Sequence, residues 1–204
     1  MLSLGTQVRY SADRVLMRES DSSNFVLILL DGVVKATGQT HDGRDALLAV
    51  RVGGDLVGEL AAMDGKPRSA TVTTCGPVLA RTARRSDFLD CLRTDPAIAQ
   101  AVNESVVAKL RVANNHRVDF TGCDAATRLA RVLHQIALTY GERAGDGAVI
   151  RWPITQPELA TLSGAAEPTV QKALRRLRET GVVATGYRSI RVKDLALLSS
   201  IAFD

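Results

Sequence analysis

An α+β protein, with its strands first and its helices last, is what three features of the sequence predict. Short runs rich in Val, Leu, Ile and Thr, separated by glycine turns, fill the first 75 residues. Helical spacing takes over from about residue 86, and the last part of the chain holds two short helices followed by a hairpin pattern. At 204 residues, 46% of them hydrophobic, the chain is long enough for one large domain or two small ones with a substantial core. Aromatics make up only 4%, so Leu, Val, Ile and Ala must build that core.

The clearest strands are "NFVLILLDGVVKATGQ", "DALLAVRV" and "SATVTT", bounded by Asp31-Gly32, His41-Asp42-Gly43 and Gly53-Gly54. "HDGR" between two such runs signals a hairpin, and many short strands with glycine turns argue a sandwich or barrel. Further on, Ile98, Val102, Val106, Leu110, Ala113, Arg117 and Phe120 recur at helical spacing over more than 20 residues. So long and narrow a stripe suits pairing with a second copy, as in a coiled coil; packing against its own domain fits the segment equally well. A break is expected at Thr121-Gly122, with Asp124 as N-cap of the next helix. Ala125, Leu129, Val132, Leu133, Ile136, Ala137 and Tyr140 mark one face of that helix, which Gly145 and Gly147 should end before a short strand at 148–152.

Two stretches carry chemistry. "VGELAAMDGKPRSATV", residues 57–72, crowds Gly58, Glu59, Arg68 and Ser69 between two apolar runs. A solvated turn, a catalytic site, and a pocket for a small anion that also bears hydroxyls all remain open from these residues. The second stretch is "TQPELATLSGAAEPTVQKALRRLRETGVV". Thr155 and Glu158 form a capping-box pattern with Pro157 in the first turn, which starts a helix over 156–162. Gly164 supplies a tight turn, and a helix over 167–179 buries Val170, Ala173, Leu174 and Leu177. Its other face carries Glu167, Thr169, Gln171, Lys172, Arg175 and Arg176. This is a helix-turn-helix pattern, whose second helix enters the DNA major groove. Gly181 stops that helix. "VVATGYRSIRV" then reads as a wing with Gly186 at its tip and Tyr187, Arg188 and Arg191 near phosphates; the plainer alternative is an α-hairpin capped by a β-hairpin. From Arg151 to Lys193, Lys and Arg outnumber the acids Glu158, Glu167 and Glu179, a bias that suits a polyanion.

On these two motifs, "GELAAMDGKPRSA" and "ELATLSGAAEPTVQKALRRLRETGVV", the chain resembles the Crp/Fnr transcription regulators over nearly its whole length. The resemblance implies a cyclic-nucleotide-binding β-roll at 1–97, a dimerisation helix at 98–121 and a winged helix-turn-helix at 122–204. It implies that the Gly58 backbone approaches a cyclic nucleotide and that Glu59 accepts from the ribose 2′-hydroxyl. Arg68, the single guanidinium of the cassette, would neutralise the phosphate, with Ser69 donating to it and Leu60 completing the motif. Such a ligand presents one charge and one free hydroxyl, which a carboxylate beside a guanidinium matches; the alternative is an internal Glu59–Arg68 pair that ties the loop. Where cyclic-AMP-responsive relatives carry Thr followed by Ser or Asn, this chain has Ala113-Asn114. Asn114 can still bond to a base, while the lost hydroxyl costs about 1–3 kcal/mol if a buried group is left unpaired. Contacts to DNA fall on Gln156, Glu167, Thr169, Gln171, Lys172, Arg175, Arg176 and Arg188. Glu167-Pro168 replaces the Arg-Glu pair of many relatives, so the usual Arg contact to guanine is absent.

The expected partners are therefore a palindromic double-stranded operator, a second copy of the chain, and RNA polymerase as a candidate. No cofactor is expected; cyclic AMP or another cyclic nucleotide is the implied effector, with a ligand-independent regulator as the alternative. The iron–sulfur branch of the family needs an N-terminal cysteine cluster, which this sequence lacks. Cys75, Cys91 and Cys123 follow no CxxC spacing and fit a reducing cytoplasm. Cys75 and His41 are expected to be structural, and His116 and His134 to be packing or surface residues. No nucleophile context, HExxH or P-loop supports an enzyme. No apolar run reaches membrane-spanning length, and the N-terminus lacks a signal-peptide pattern.

Overall fold

The computed structural model describes residues 3–186 and 188–203. The chain forms two compact units, Met1–Ala113 and Asn114–Asp204.

The first unit runs β1 (Thr6–Tyr10), β2 (Val15–Met17), β3 (Phe25–Asp31), β4 (Val33–Gln39), β5 (Asp45–Val52), β6 (Leu56–Val57), α1 (Glu59–Asp64), β7 (Thr71–Thr74), β8 (Val78–Arg84) and α2 (Arg85–Thr94), and then enters α3 (Pro96–Gly122). Its antiparallel strands make two four-stranded sheets, ordered β1-β8-β3-β6 and β2-β7-β4-β5. Leu27, Leu29, Val78 and Ala80 of the first sheet pack with Met17, Val34 and Val72 of the second, which forms the roll's interior. Successive side chains of a strand point to opposite faces, so Val26 and Ile28 of β3 look the other way. They meet Ala62 of α1, Phe88 of α2 and Val102 of α3. That is why "VLIL" is an unbroken apolar run: β3 is covered on both faces.

The expected strands are present, and the β4–β5 turn is the predicted hairpin, with Thr40 and Arg44 exchanging hydrogen bonds around Gly43. The six-residue helix α1 has no counterpart among the sequence expectations. It is too short to show helical periodicity. Along α3, Val102 is buried, whereas Val107, Leu110, Val118 and Phe120 are 48% or more exposed.

The second unit takes the end of α3 and adds α4 (Ala125–Tyr140), β9 (Glu142–Ala144), β10 (Gly147–Ile150), α5 (Gln156–Ser163), α6 (Glu167–Glu179), β11 (Val183–Gly186), β12 (Ser189–Val192) and α7 (Leu195–Phe203). Its sheet has the order β11-β12-β10-β9. Asp124 caps α4 as expected, accepting from the Thr127 amide at 2.7 Å. The end of α4 differs from expectation. The helix stops at Gly141 rather than at Gly145 and Gly147, because Glu142–Ala144 pairs with Gly147–Val149 in a hairpin whose turn holds Gly145. Leu129, Leu133 and Ile136 of α4, Leu159 of α5, Leu174 of α6 and Leu198 of α7 are buried.

Candidate functional site

The cleft of the first unit is built around Gly58. This residue sits at φ 82° as the N-cap of α1, and a Cβ there would lie 2.6 Å from Nη1 of Arg68 and 2.6 Å from Cε of Met17. Only glycine fits both the backbone and the space. Immediately after it, α1 turns Glu59 inward until the residue is 5% exposed. A buried carboxylate needs a partner, and Lys109 of α3 supplies it: Nζ lies 2.9 Å from Glu59 Oε1 and donates also to the Leu56 carbonyl at 2.7 Å. The Glu59–Arg68 pair left open by the sequence is not formed.

Arg68 is 3% exposed. Its Nε donates to Ser23 Oγ at 3.0 Å, its Nη1 to the Gly58 carbonyl at 3.0 Å and its Nη2 to the Phe25 carbonyl at 2.6 Å. The guanidinium also lies 4.9 Å from the Phe25 ring centroid. Burial pulls its pKa below the usual guanidinium value, against the opposing charges of Asp21 and Glu59. Around these groups is a cleft of about 110 Å³, lined by Met17, Arg51, Gly58, Glu59, Arg68, Ser69 and Lys109 among others. Leu60 also lines it and is 47% exposed. The lining comes entirely from the first unit; Asn114 is exposed on α3 in the second.

Two cleft residues escaped the sequence reading. Lys109 sits in an exposed-looking stretch of a long helix, and Arg51 lies one residue before the end of an ordinary strand pattern. No local signal separates either from a solvated cation. Only strand pairing and helix docking bring them to Glu59 and Gly58.

In the second unit the capping box is complete: Thr155 Oγ1 accepts from the Glu158 amide, and Glu158 Oε2 accepts from the Thr155 amide at 2.7 Å. Gly164 takes φ 56° at the turn. Helix α6 then buries Val170, Ala173, Leu174 and Leu177. Glu167, Thr169, Gln171, Lys172, Arg175 and Arg176 are all exposed, as is Gln156 at the start of α5. Arg178 Nη1 donates to Thr185 Oγ1 at 3.1 Å and so ties α6 to the wing strand β11. Arg188, at the wing tip, has φ 53°, a left-handed conformation that a non-glycine residue adopts only at a cost. Arg191 is exposed on β12, and Tyr187 lies outside the described residues.

A brace holds the turn of this unit. Arg128 of α4 donates from Nε to the Ser163 carbonyl at 2.7 Å, from Nη2 to the Gly164 carbonyl at 2.9 Å and from Nη1 to the Cys123 carbonyl at 2.7 Å. Its guanidinium lies 5.2 Å from the Phe120 ring centroid, and a Cβ on Gly164 would come within 1.5 Å of that ring. Arg131 pairs with Asp119 and donates to the Ala202 carbonyl at 2.7 Å. The last turns of α3 are thus fastened to the helix-turn-helix by side chains of α4. Among the described residues there is no group of His, Cys, Asp and Glu that could hold a metal, and no helix long and apolar enough to cross a membrane.

Comparison with known proteins agrees with both units. A cyclic nucleotide-binding domain model matches residues 7–95, and a Crp-like helix-turn-helix domain model matches residues 127–201. The chain is 28% identical over 187 residues to the CRP-like cAMP-activated global transcriptional regulator of Mycobacterium tuberculosis, covering 92% of this chain and 84% of the relative. It is 27% identical to the cyclic AMP receptor protein of Thermus thermophilus, covering 95% of this chain and 87% of that one. The solved structure of FixK2 from Bradyrhizobium japonicum superposes with a TM-score of 0.83 at 21% identity and 98% coverage of both chains, which supports the fold.

Proposed function

The chain belongs to the Crp/Fnr family of transcription regulators, and on that premise we propose that it is a homodimer whose operator binding is controlled by a small effector in the cleft around Gly58, with cyclic AMP as the first candidate. The observation that carries this reading is the convergence of Gly58, Glu59, Arg68 and Ser69 on one cleft. In the proposed complex the phosphate sits against Arg68 and Ser69, and the ribose hydroxyl takes its place at Glu59, where Lys109 now binds. Pockets for drug-sized ligands run to about 300–1,000 Å³, so a cleft of about 110 Å³ must widen to admit a nucleotide. The Glu59–Lys109 pair is part of the lining of that cleft. Because Lys109 belongs to α3, an effector that shares Glu59 also changes what holds the long helix.

The exposed apolar residues of α3, Val107 and Leu110 among them, are the proposed seam between two copies. A two-fold dimer reads a palindromic operator with half-sites about 10 bp apart, centre to centre. On α6, Glu167, Gln171 and Lys172 are the proposed base readers, able to accept from cytosine, pair with adenine and donate to guanine respectively. Thr169, Arg175, Arg176 and Arg188 hold phosphates, and Gln156 meets the backbone at the start of α5. The cytoplasm is the proposed compartment, a reading that three free cysteines support.

A second reading, a regulator that binds no cyclic nucleotide, is favoured by one observation: donors on all three nitrogens of Arg68 already bond to Gly58, Phe25 and Ser23. Calorimetric titration with cyclic AMP and cyclic GMP separates the two. The effector reading expects saturable binding that Arg68→Ala weakens at least about tenfold, a loss of about 1.4 kcal/mol. Unchanged affinity in the folded variant removes Arg68 from the site, and no binding by the wild type leaves the second reading.

A further inference from the structure

Arg51 is the penultimate residue of β5, opposite Val34 of β4, half-buried and part of the lining of the cleft. Its one described hydrogen bond runs from Nη1 to the carbonyl of its own neighbour Val50, at 2.8 Å. It forms no ion pair with any described residue. The ionisable residues lining the cleft are therefore three cations, Arg51, Arg68 and Lys109, and one carboxylate, Glu59. Lys109 and Glu59 neutralise each other at 2.9 Å. Two guanidinium groups are left lining one small cleft, and the charges of Asp21, outside the lining, and Glu59 oppose that of Arg68.

A cyclic mononucleotide brings one negative charge. It satisfies Arg68 and leaves Arg51 an uncompensated cation at the edge of a site that ligand has just desolvated, which is unfavourable. A second anionic group removes that cost and gains a charge-assisted contact to a planar fork suited to phosphate. We infer that the cleft is built for an organic phosphate carrying two negative charges, with Arg51 as the second anion contact beside Arg68. The two charges reside on one phosphomonoester or on two phosphodiesters. This inference rests on the reading of the cleft as an effector site and narrows its ligand class.

The test is calorimetry on the full chain with three adenine probes: cyclic AMP, adenosine 5′-monophosphate and cyclic di-AMP. At about pH 7.5 the linear phosphomonoester holds close to two charges, since its second pKa is about 6. In the wild type, at least one of the two doubly charged probes is expected to bind about tenfold or more tighter than cyclic AMP. Arg51→Leu should abolish that advantage, so that the doubly charged probe loses about tenfold or more relative to cyclic AMP. Arg51→Gln serves as a second variant, with thermal melting to confirm the fold of both. If cyclic AMP binds as tightly as either doubly charged probe, or if both Arg51 variants weaken all three probes alike, the inference is wrong while the effector site stands. If none of the three binds the wild type, the inference falls together with the effector reading.

Discussion

The cleft and the recognition helix are both rich in charge, yet they treat it in opposite ways. In the cleft, Glu59 and Arg68 are 5% and 3% exposed and are bonded to Lys109, Ser23 and backbone carbonyls. On α6, Glu167, Gln171, Lys172, Arg175 and Arg176 stand in solvent over a buried stripe of Val170, Ala173, Leu174 and Leu177. A small ligand is held by groups that converge, so its binding residues also hold the fold together. A duplex is met by groups that project from a convex face, so its binding residues can be changed without touching the core. The two regions should therefore separate stability from binding in mutants.

The largest effect is expected at Gly58. Its Cβ meets Arg68 and Met17 at 2.6 Å in a left-handed backbone, so Gly58→Ala should cost about 2–5 kcal/mol from strain and overpacking together. Gly43, at φ 78° with nothing within 4 Å, is the control: Gly43→Ala carries the backbone cost alone, about 1–2 kcal/mol. Equal losses in urea unfolding would mean that the space around Gly58 is not tight.

Arg68 and Lys172 make the next comparison. Arg68→Ala leaves the Gly58 and Phe25 carbonyls without their donor and should destabilise the protein by about 2–4 kcal/mol. Lys172→Ala should stay within about 0.5 kcal/mol of wild type, yet alter the base preference seen in a binding-site selection. A Lys172 variant that loses affinity for all sequences alike would move that residue from bases to phosphates.

Arg128 crosses the distinction, because it is a buried-type brace within the DNA-binding unit. Arg128→Ala removes donors from Cys123, Ser163 and Gly164, so stability should fall by about 1–3 kcal/mol. Amide exchange at Ala165, the residue after the turn, should quicken, and affinity should drop for every operator. Unaltered exchange there would show that the turn is held by its own backbone bonds.

At the wing, Arg188→Gly relieves the φ of 53° and should gain up to about 1 kcal/mol of stability. The same change should lower the salt dependence of DNA binding by about one unit, the signature of a lost phosphate contact. A stability gain without a change in salt slope would free Arg188 from the DNA.

The smallest effect concerns pH. The Thr127 amide bond holds Asp124 below the ordinary carboxylate pKa in the folded chain. A lowered folded pKa means that the cap stabilises above the unfolded value of about 3.9 and is lost as pH falls through the folded value. Asp124→Asn should flatten that acid limb of the stability curve while keeping most of the cap. An unchanged limb would assign it to other carboxylates.

Local signals were enough for much of this molecule. The capping box at Thr155 and Glu158, the turn at Gly164 and the apolar stripe of α6 are rules written within a few adjacent residues, and the helix-turn-helix follows them. The β-roll strands and the β4–β5 hairpin were legible for the same reason: period-two patterning and glycine turns are local. The cassette motif marked Gly58, Glu59 and Arg68, but not what surrounds them. That Glu59 pairs with Lys109, 50 positions along the chain, depends on α3 docking beside the sheet. The same holds for Arg68, whose carbonyl partner at Phe25 lies 43 positions earlier, and for Arg128, whose grip on Gly164 joins α4 to a turn 36 positions on. Arg51 enters the cleft only because β4 and β5 pair in one register. Sequence determined the elements and the chemistry of the motif, because propensity, capping and patterning act between near neighbours. Tertiary structure alone decided which charges are neutralised and which are left lining the cleft, because a buried charge takes as its partner whatever the folded chain brings within reach.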